Sequence, residues 1–194
     1  ALSETDNTSP RLAFVKGPPW SYAEPYMNEL FARYLDGLGD VPEVVLAGIF
    51  NDALNAQEVV MNANVWMNLR EFVENHELEL LEETVRRIIA GKGILAANYI
   101  AARELTDSLV AALNALFEHY DALITVSAPG EAPLGIESTG NAVFQRIWTL
   151  TGLPTISLPL MKGPNGMPIG VQVIGAKGKD HDLIKAARWI EERS

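Results

Sequence analysis

The 194-residue chain contains no cysteine. Disulfides, thiolate nucleophiles and sulfur-ligated metals are therefore excluded, and the absence fits a reducing cytoplasm, the expected location. No apolar run approaches the roughly 20 residues of a membrane-spanning helix, so no membrane partner is expected. Residues 1–10 carry neither a basic flank nor an apolar core and read as a polar lead or linker, not a signal peptide. The chain does not begin with methionine, which leads us to expect processing or a longer parent. Positive charge is also scarce, with 15 Lys and Arg against 25 Asp and Glu and a formal net charge of −10. Nucleic-acid binding runs on basic surface and released counterions, and only Arg86 and Arg87 are adjacent here. No nucleic-acid partner is expected.

The remaining composition, 48% apolar and 21% charged, is that of a globular protein with a substantial core. Arg11–Gly17 reads as a buried strand ended by Gly17-Pro18-Pro19. A helix follows from about Pro25, with Met27, Leu30, Phe31, Tyr34, Leu35 and Leu38 on one stripe and Gly37 and Gly39 as its stop. Val41–Gly48 is a second strand, with Pro42 confined to its beginning. This β–α–β order predicts parallel pairing.

Three helices are expected next. Asp52–Asn75 carries Val65, Trp66, Leu69, Phe72 and Val73. In the second, Leu78, Leu81, Val85, Ile88 and Ile89 form the inner face, and Glu82 and Glu83 stand four residues ahead of Arg86 and Arg87. The third, Ala96–His119, turns Leu105, Leu109, Leu113, Leu116 and Phe117 inward. Ala122–Val126 is a strand, Ser127–Ser138 is irregular, and Asn141–Thr151 is a short helix. Two strands then flank the hairpin-type loop 162–168. A last helix from Asp180 or Asp182 buries Leu183, Ile184, Ala187 and Ile190. Alternating strands and helices make the class α/β, with residues 11–194 as a single domain.

The search for chemistry returns little. There is no G-x-S-x-G elbow and no S-x-x-K pair. His76, His119 and His181 fall on solvated helical stretches, and Asp180-His181-Asp182 places ligand types side by side but pointing apart. A helix cap is the expected role of either aspartate. No catalytic residue, metal site or cofactor is assigned.

The last third is more specific. Tyr120-Asp121-Ala122-Leu123-Ile124, Ala128-Pro129 through Pro133 and Ser138-Thr139-Gly140-Asn141 follow in order. After them come Phe144, Trp148-Thr149, Gly152-Leu153-Pro154, Ser157-Leu158-Pro159 and Gly166–Gly175. This succession resembles the carboxyl-terminal portion of the amidase signature family, which includes amidases, allophanate hydrolases and one of the subunits of glutamyl-tRNA amidotransferase. The resemblance implies an α/β/α fold with a mixed central sheet covered by helices on both faces. In that setting Ile156, Leu158, Val171, Val173 and Ile174 would be buried from two sides, the hairpin would lie inside the sheet, and Ser157 would be buried and inert.

The activity implied is carboxamide C–N hydrolysis through an acyl-serine. The family's Ser–cis-Ser–Lys triad lies amino-terminal to the matched region, in a Gly/Ser-rich segment this chain lacks, so no catalytic residue carries over. The expected partners are a small amide substrate in the parent enzyme and the missing amino-terminal catalytic half; without that half a homodimer, or a tendency to associate, is expected. The rival reading is a stand-alone, non-catalytic binding or scaffold protein derived from an amidase. By the same resemblance Thr139, Gly140, Asn141, Gln145 and Trp148 lie beside the substrate cleft. Thr139 and Asn141 would hydrogen-bond a polar substrate group and Trp148 would offer an apolar wall. Their local alternatives are a helix cap for Thr139 or Asn141 and a core position for Trp148.

Overall fold

The computed structural model describes residues 9–76 and 79–194. Leu12–Lys16 (β1) opens the sheet, and Gly17-Pro18-Pro19 ends it by starting a 3-10 turn, Pro18–Tyr22. Met27–Leu38 (α1) follows, and Pro25 precedes its cap residue Tyr26. Glu43–Val45 (β2) lies parallel to β1. Ala53–His76 (α2), Glu82–Ile89 (α3) and Ala96–Phe117 (α4) separate it from Ala122–Val126 (β3), parallel to β1 on its other side. Arg146–Thr151 (α5) precedes the hairpin Thr155–Lys162 (β4) and Pro168–Ile174 (β5), and Asp180–Glu191 (α6) follows it. The strand order is β2-β1-β3-β5-β4, with β5 antiparallel to both β3 and β4. The sheet is mixed, as the resemblance implies.

Alternation along the strands divides the core between two faces. Leu12, Phe14, Ile124 and Val173 pack with Met27 and Phe31 of α1 and with Leu183, Ala187 and Ile190 of α6. Ala13, Val15, Leu123 and Ile174 pack with Leu109 and Leu113 of α4 and Ile147 and Trp148 of α5. Two-sided cover makes Leu12–Val15 and all of β3 buried without a break, which is why both read as continuous apolar runs. Phe14, Trp20, Phe31 and Phe144 form edge-on or tilted ring pairs with centroids 4.9–6.0 Å apart. Such pairs add about 0.5–1.5 kcal/mol each beyond area burial.

Several expectations are corrected. The second strand is only three residues long, because Pro42 gives no ladder N–H and the chain turns into 3-10 geometry at Gly48. Gly37 stays inside α1, and Gly39, at φ +100°, ends it. On α2 only Val73 of the expected inner face is buried; Leu69 and Phe72 are exposed. On α3 Ile88 alone is buried, while Leu81 precedes the helix and Ile89 is exposed; Leu78 lies outside the described residues. Glu83, not Glu82, takes both Arg86 and Arg87. The cap of α6 is Lys179, with no side-chain bond, so neither Asp180 nor Asp182 fills that role. Ile184 is exposed, and Ala186 takes its expected place in the core.

The hairpin needs the largest correction. Its second strand, β5, is interior, but β4 is an edge strand that pairs on one side only. Ile156 and Leu158 face the α6 side of the core and are only half-buried. Thr155, Ser157 and Pro159, on the opposite face of β4, are exposed. Cover on that second face stops short of the edge strand.

Candidate functional site

The carboxyl end of β3 opens into the irregular segment from Ser127 to Ala142, much of it exposed. Glu131 anchors its first part. Its backbone N–H donates to the Tyr26 hydroxyl at 2.9 Å. Its carboxylate accepts from the Asn165 and Met167 backbone N–H groups at 3.0 and 2.9 Å and from Asn165 Nδ2 at 2.7 Å. Loss of water pushes this carboxyl up, but the Asn165 side chain and the two backbone donors outweigh it and leave the group below its ordinary range. One carboxylate therefore fixes the loop after β3 to the tip of the β4–β5 hairpin. Beyond it the loop is uncovered, and Leu134 and Ile136 stand at 104% and 95% relative exposure.

The five residues singled out from the sequence follow this segment. Thr139 is exposed. Gly140, at φ +87°, turns the chain and donates its N–H to Ser138 Oγ at 3.1 Å. Asn141 Oδ1 accepts the Val143 N–H at 3.0 Å, an Asx turn that opens the 3-10 turn Val143–Gln145. The cap of that turn is Ala142, with no side-chain bond, so Asn141 stands one residue ahead of it and its amide nitrogen remains a donor without a partner among the described residues. Gln145 donates through Nε2 to the Ser127 carbonyl. Trp148 is buried, and its indole N–H donates to Gln172 Oε1 at 3.1 Å. It packs in the core beneath the site.

A long-range clamp holds α5 in place. Arg146 donates to Gln57 Oε1 at 2.6 Å and to the Leu54 carbonyl at 2.7 Å, and it lies 3.2 Å from the Glu58 carboxylate. At the other end Gly152, at φ +68°, closes the helix in the left-handed conformation that glycine takes at little cost.

Sequence reading missed one feature. On the α5 side of the sheet, Thr125, Ser127, Gln172 and Ser157 share a face across three strands, as the pairings Thr125↔Gln172 and Ser157↔Gln172 require. Thr125 Oγ1 accepts the Trp20 indole N–H at 3.3 Å. The Ser127 and Ser157 hydroxyls are 2.6 Å apart and exposed. The hint lay in the alternation Ile156-Ser157-Leu158, which puts Ser157 opposite its neighbours, but the lack of cover over that face of β4 is not visible in sequence.

This surface offers hydroxyl and amide groups but no activated nucleophile. Among the described residues no serine hydroxyl bonds a lysine or a histidine, and no three His, Asp or Glu side chains converge. His119 and His181 are exposed, with His181 Nδ1 3.9 Å from Asp182; the side chain of His76 lies outside the described residues. No described helix is long and apolar enough to cross a membrane.

The chain belongs to the amidase family, whose model matches residues 3–184. It is 31% identical over 122 residues to the A-type subunit of the glutamyl-tRNA(Gln) amidotransferase of Helicobacter hepaticus, covering 57% of this chain and 27% of that protein. The corresponding protein of Thermotoga maritima is 32% identical over 142 residues, covering 65% and 29%. Among solved structures, an amidase superposes with a TM-score of 0.82 at 23% identity, covering 96% of this chain and 46% of its own. A chain from an inhibitor-bound complex linked to the origins of an s-triazine catabolic enzyme gives 0.81 at 23%, covering 94% and 43%. The chain thus spans less than a third of these curated relatives and under half of these structures.

Proposed function

We propose that this chain is the carboxyl-terminal part of an amidase signature hydrolase, with residues 11–194 forming one α/β domain of a cytoplasmic enzyme. The observation that carries the reading is a mismatch of coverage and chemistry. The family match runs over residues 3–184, whereas no described serine has the basic partner that amide hydrolysis requires. The nucleophilic serine, its serine partner and the lysine belong to polypeptide outside this sequence. In the assembled enzyme that serine attacks the carboxamide carbon, the amine leaves with a proton, and water releases the acid from the acyl-serine.

This chain supplies sheet and one wall of the cleft. Thr139 Oγ1 and the free Asn141 Nδ2 face the substrate's polar end, Gly140 lets the backbone approach, and Gln145 ties the wall to Ser127. Trp148 acts from below, as the apolar support of the 3-10 turn that carries them. The open β4 edge and the uncovered Leu134 and Ile136 are where the missing half packs. The test is incubation of the isolated chain with a panel of aliphatic and aryl amides beside a serine-directed fluorophosphonate. No turnover and no labelling are expected. Turnover abolished by replacing a serine within residues 9–194 overturns the proposal, since the nucleophile would then be here. A longer natural polypeptide that hydrolyses amides and is labelled on a serine outside this sequence supports it.

A further inference from the structure

At the opposite end of the sheet from the candidate site, where β1 and β3 begin and β5 ends, lies a groove of about 400 Å³. Three rings wall it, Phe117 at the end of α4, Tyr120 just before β3 and Trp189 on α6. Each is half-buried. Asp182, Lys185 and Trp189 recur at three- and four-residue spacing and so share one side of α6, and Lys179 is the residue that caps it. All four line the groove, with the small buried Ala186 as part of its floor.

The charges decide what such a groove accepts. Asp121, also at its margin, is neutralised by Arg11, which donates through its backbone N–H, Nε and Nη2 at 2.8, 3.3 and 2.8 Å. These donors hold the Asp121 carboxyl below its ordinary range. Asp182 is then the one carboxylate left against two ammonium groups, Lys179 and Lys185, neither of which has an ion pair among the described residues. On a chain of formal net charge −10 this is a locally cationic, ring-walled recess. Arg193, paired with Glu192 at 3.9 Å, stacks 4.2 Å from the Trp189 ring centroid and adds no net charge to it.

We propose that this groove is a binding site for a small organic anion, a carboxylate or phosphate carried on an aromatic or alicyclic ring. The ring lies among Phe117, Tyr120 and Trp189, and the anionic end meets the ammonium group of Lys179 or Lys185. The volume suits a ligand of that size, and apolar walls with a few convergent charges are the usual make-up of a small-molecule site. The site does not depend on amide hydrolysis.

The test is a titration of the chain with benzoate, phenyl phosphate, inorganic phosphate and benzyl alcohol. It is followed by the Trp189 indole N–H resonance, assigned with Trp189→Phe. Saturable shifts are expected with benzoate or phenyl phosphate, weakening as salt is raised. Benzyl alcohol and inorganic phosphate, each lacking one half of the recognised chemistry, should bind about tenfold or more weakly. The pair Lys179→Ala and Lys185→Ala should weaken the aryl anions by at least about tenfold, with the melting temperature and the Trp148 indole resonance unchanged. Lys177→Ala, outside the groove, should have no effect. Equal binding of benzoate and benzyl alcohol, inorganic phosphate binding as tightly as phenyl phosphate, no saturable shift with either aryl anion, or full binding by the double variant each overturns the site.

Discussion

The hydroxyls of Ser127, just past the end of β3, and Ser157, on β4, meet 2.6 Å apart, and they can do so because Gly170 stands between them on β5 without a side chain. A Cβ on Gly170 would lie 2.5 Å from Ser157 Oγ, 2.6 Å from Ser127 Oγ and 2.8 Å from Ser127 Cβ. The glycine is required by proximity, not by its backbone angles. Gly170→Ala should therefore push the serine pair apart and cost about 1–3 kcal/mol, the usual range for overpacking. Chemical denaturation measures the loss. Adding Ser157→Ala should recover part of it, and no recovery would mean that the contact with Ser127 dominates.

Trp148 and Gln172 form a buried polar pair, with 4% and 2% relative exposure. Removing one partner strands the other. Gln172→Leu leaves an indole N–H unpaired, and Trp148→Phe leaves an amide carbonyl unpaired; each should cost about 1–3 kcal/mol. The two together should cost clearly less than their sum, because neither polar group is then orphaned. Strict additivity in a denaturation cycle would show that the 3.1 Å hydrogen bond carries no coupling.

Much of this fold is legible in the sequence, for a physical reason that also explains the failures. β1, β3, α1 and α4 are covered by other parts of the same chain, so their apolar periodicity reports their real surroundings, and on α6 it fails only at Ile184. α2, α3 and β4 are not fully covered. Leu69, Phe72, Leu81 and Ile89 are exposed, and a pattern of apolar residues cannot tell which faces the rest of the chain leaves uncovered. Ser157, which reads as buried, is exposed for the same reason. Of the site, Thr139 to Trp148 is reached through a family resemblance, and local spacing alone would not choose it. The ties that place it join Arg146 to Gln57, 89 residues apart, and Glu131 to Asn165, 34 apart. No local pattern announces such pairs.

Glu131 makes the junction between the site loop and the hairpin tip sensitive to acid. Its folded carboxyl is held below the ordinary value of 4.5, so the clamp contributes fully above that value. It is lost as pH falls from there through the lower folded value. The amide resonances of Asn165 and Met167 should shift together over that acidic window and stay constant from about pH 5 upward. In Glu131→Gln, which cannot offer the same acceptors, they should be displaced at all pH values. A midpoint above the ordinary value would mean that desolvation outweighs the three donors and would reverse the sign assigned here.

The uncovered apolar surface gives the last prediction. Leu134 and Ile136 stand clear of the chain at 104% and 95% relative exposure, and β4 leaves a strand edge open beside exposed Thr155, Ser157 and Pro159. Such features promote association unless charge opposes it. The net charge of −10 should keep the chain in solution while these patches still bind dye and self-associate at high concentration. Leu134→Glu with Ile136→Glu should lower both effects. Neither side chain has packing to lose, so stability should change by no more than about 0.5 kcal/mol. Light scattering and dye fluorescence over a concentration series, with denaturation as control, separate the outcomes. Association unchanged in the double variant would place the contact on the β4 edge. A clean monomer without dye binding in the parent chain would show that these faces need no partner, and would count against the missing half that the proposed function requires.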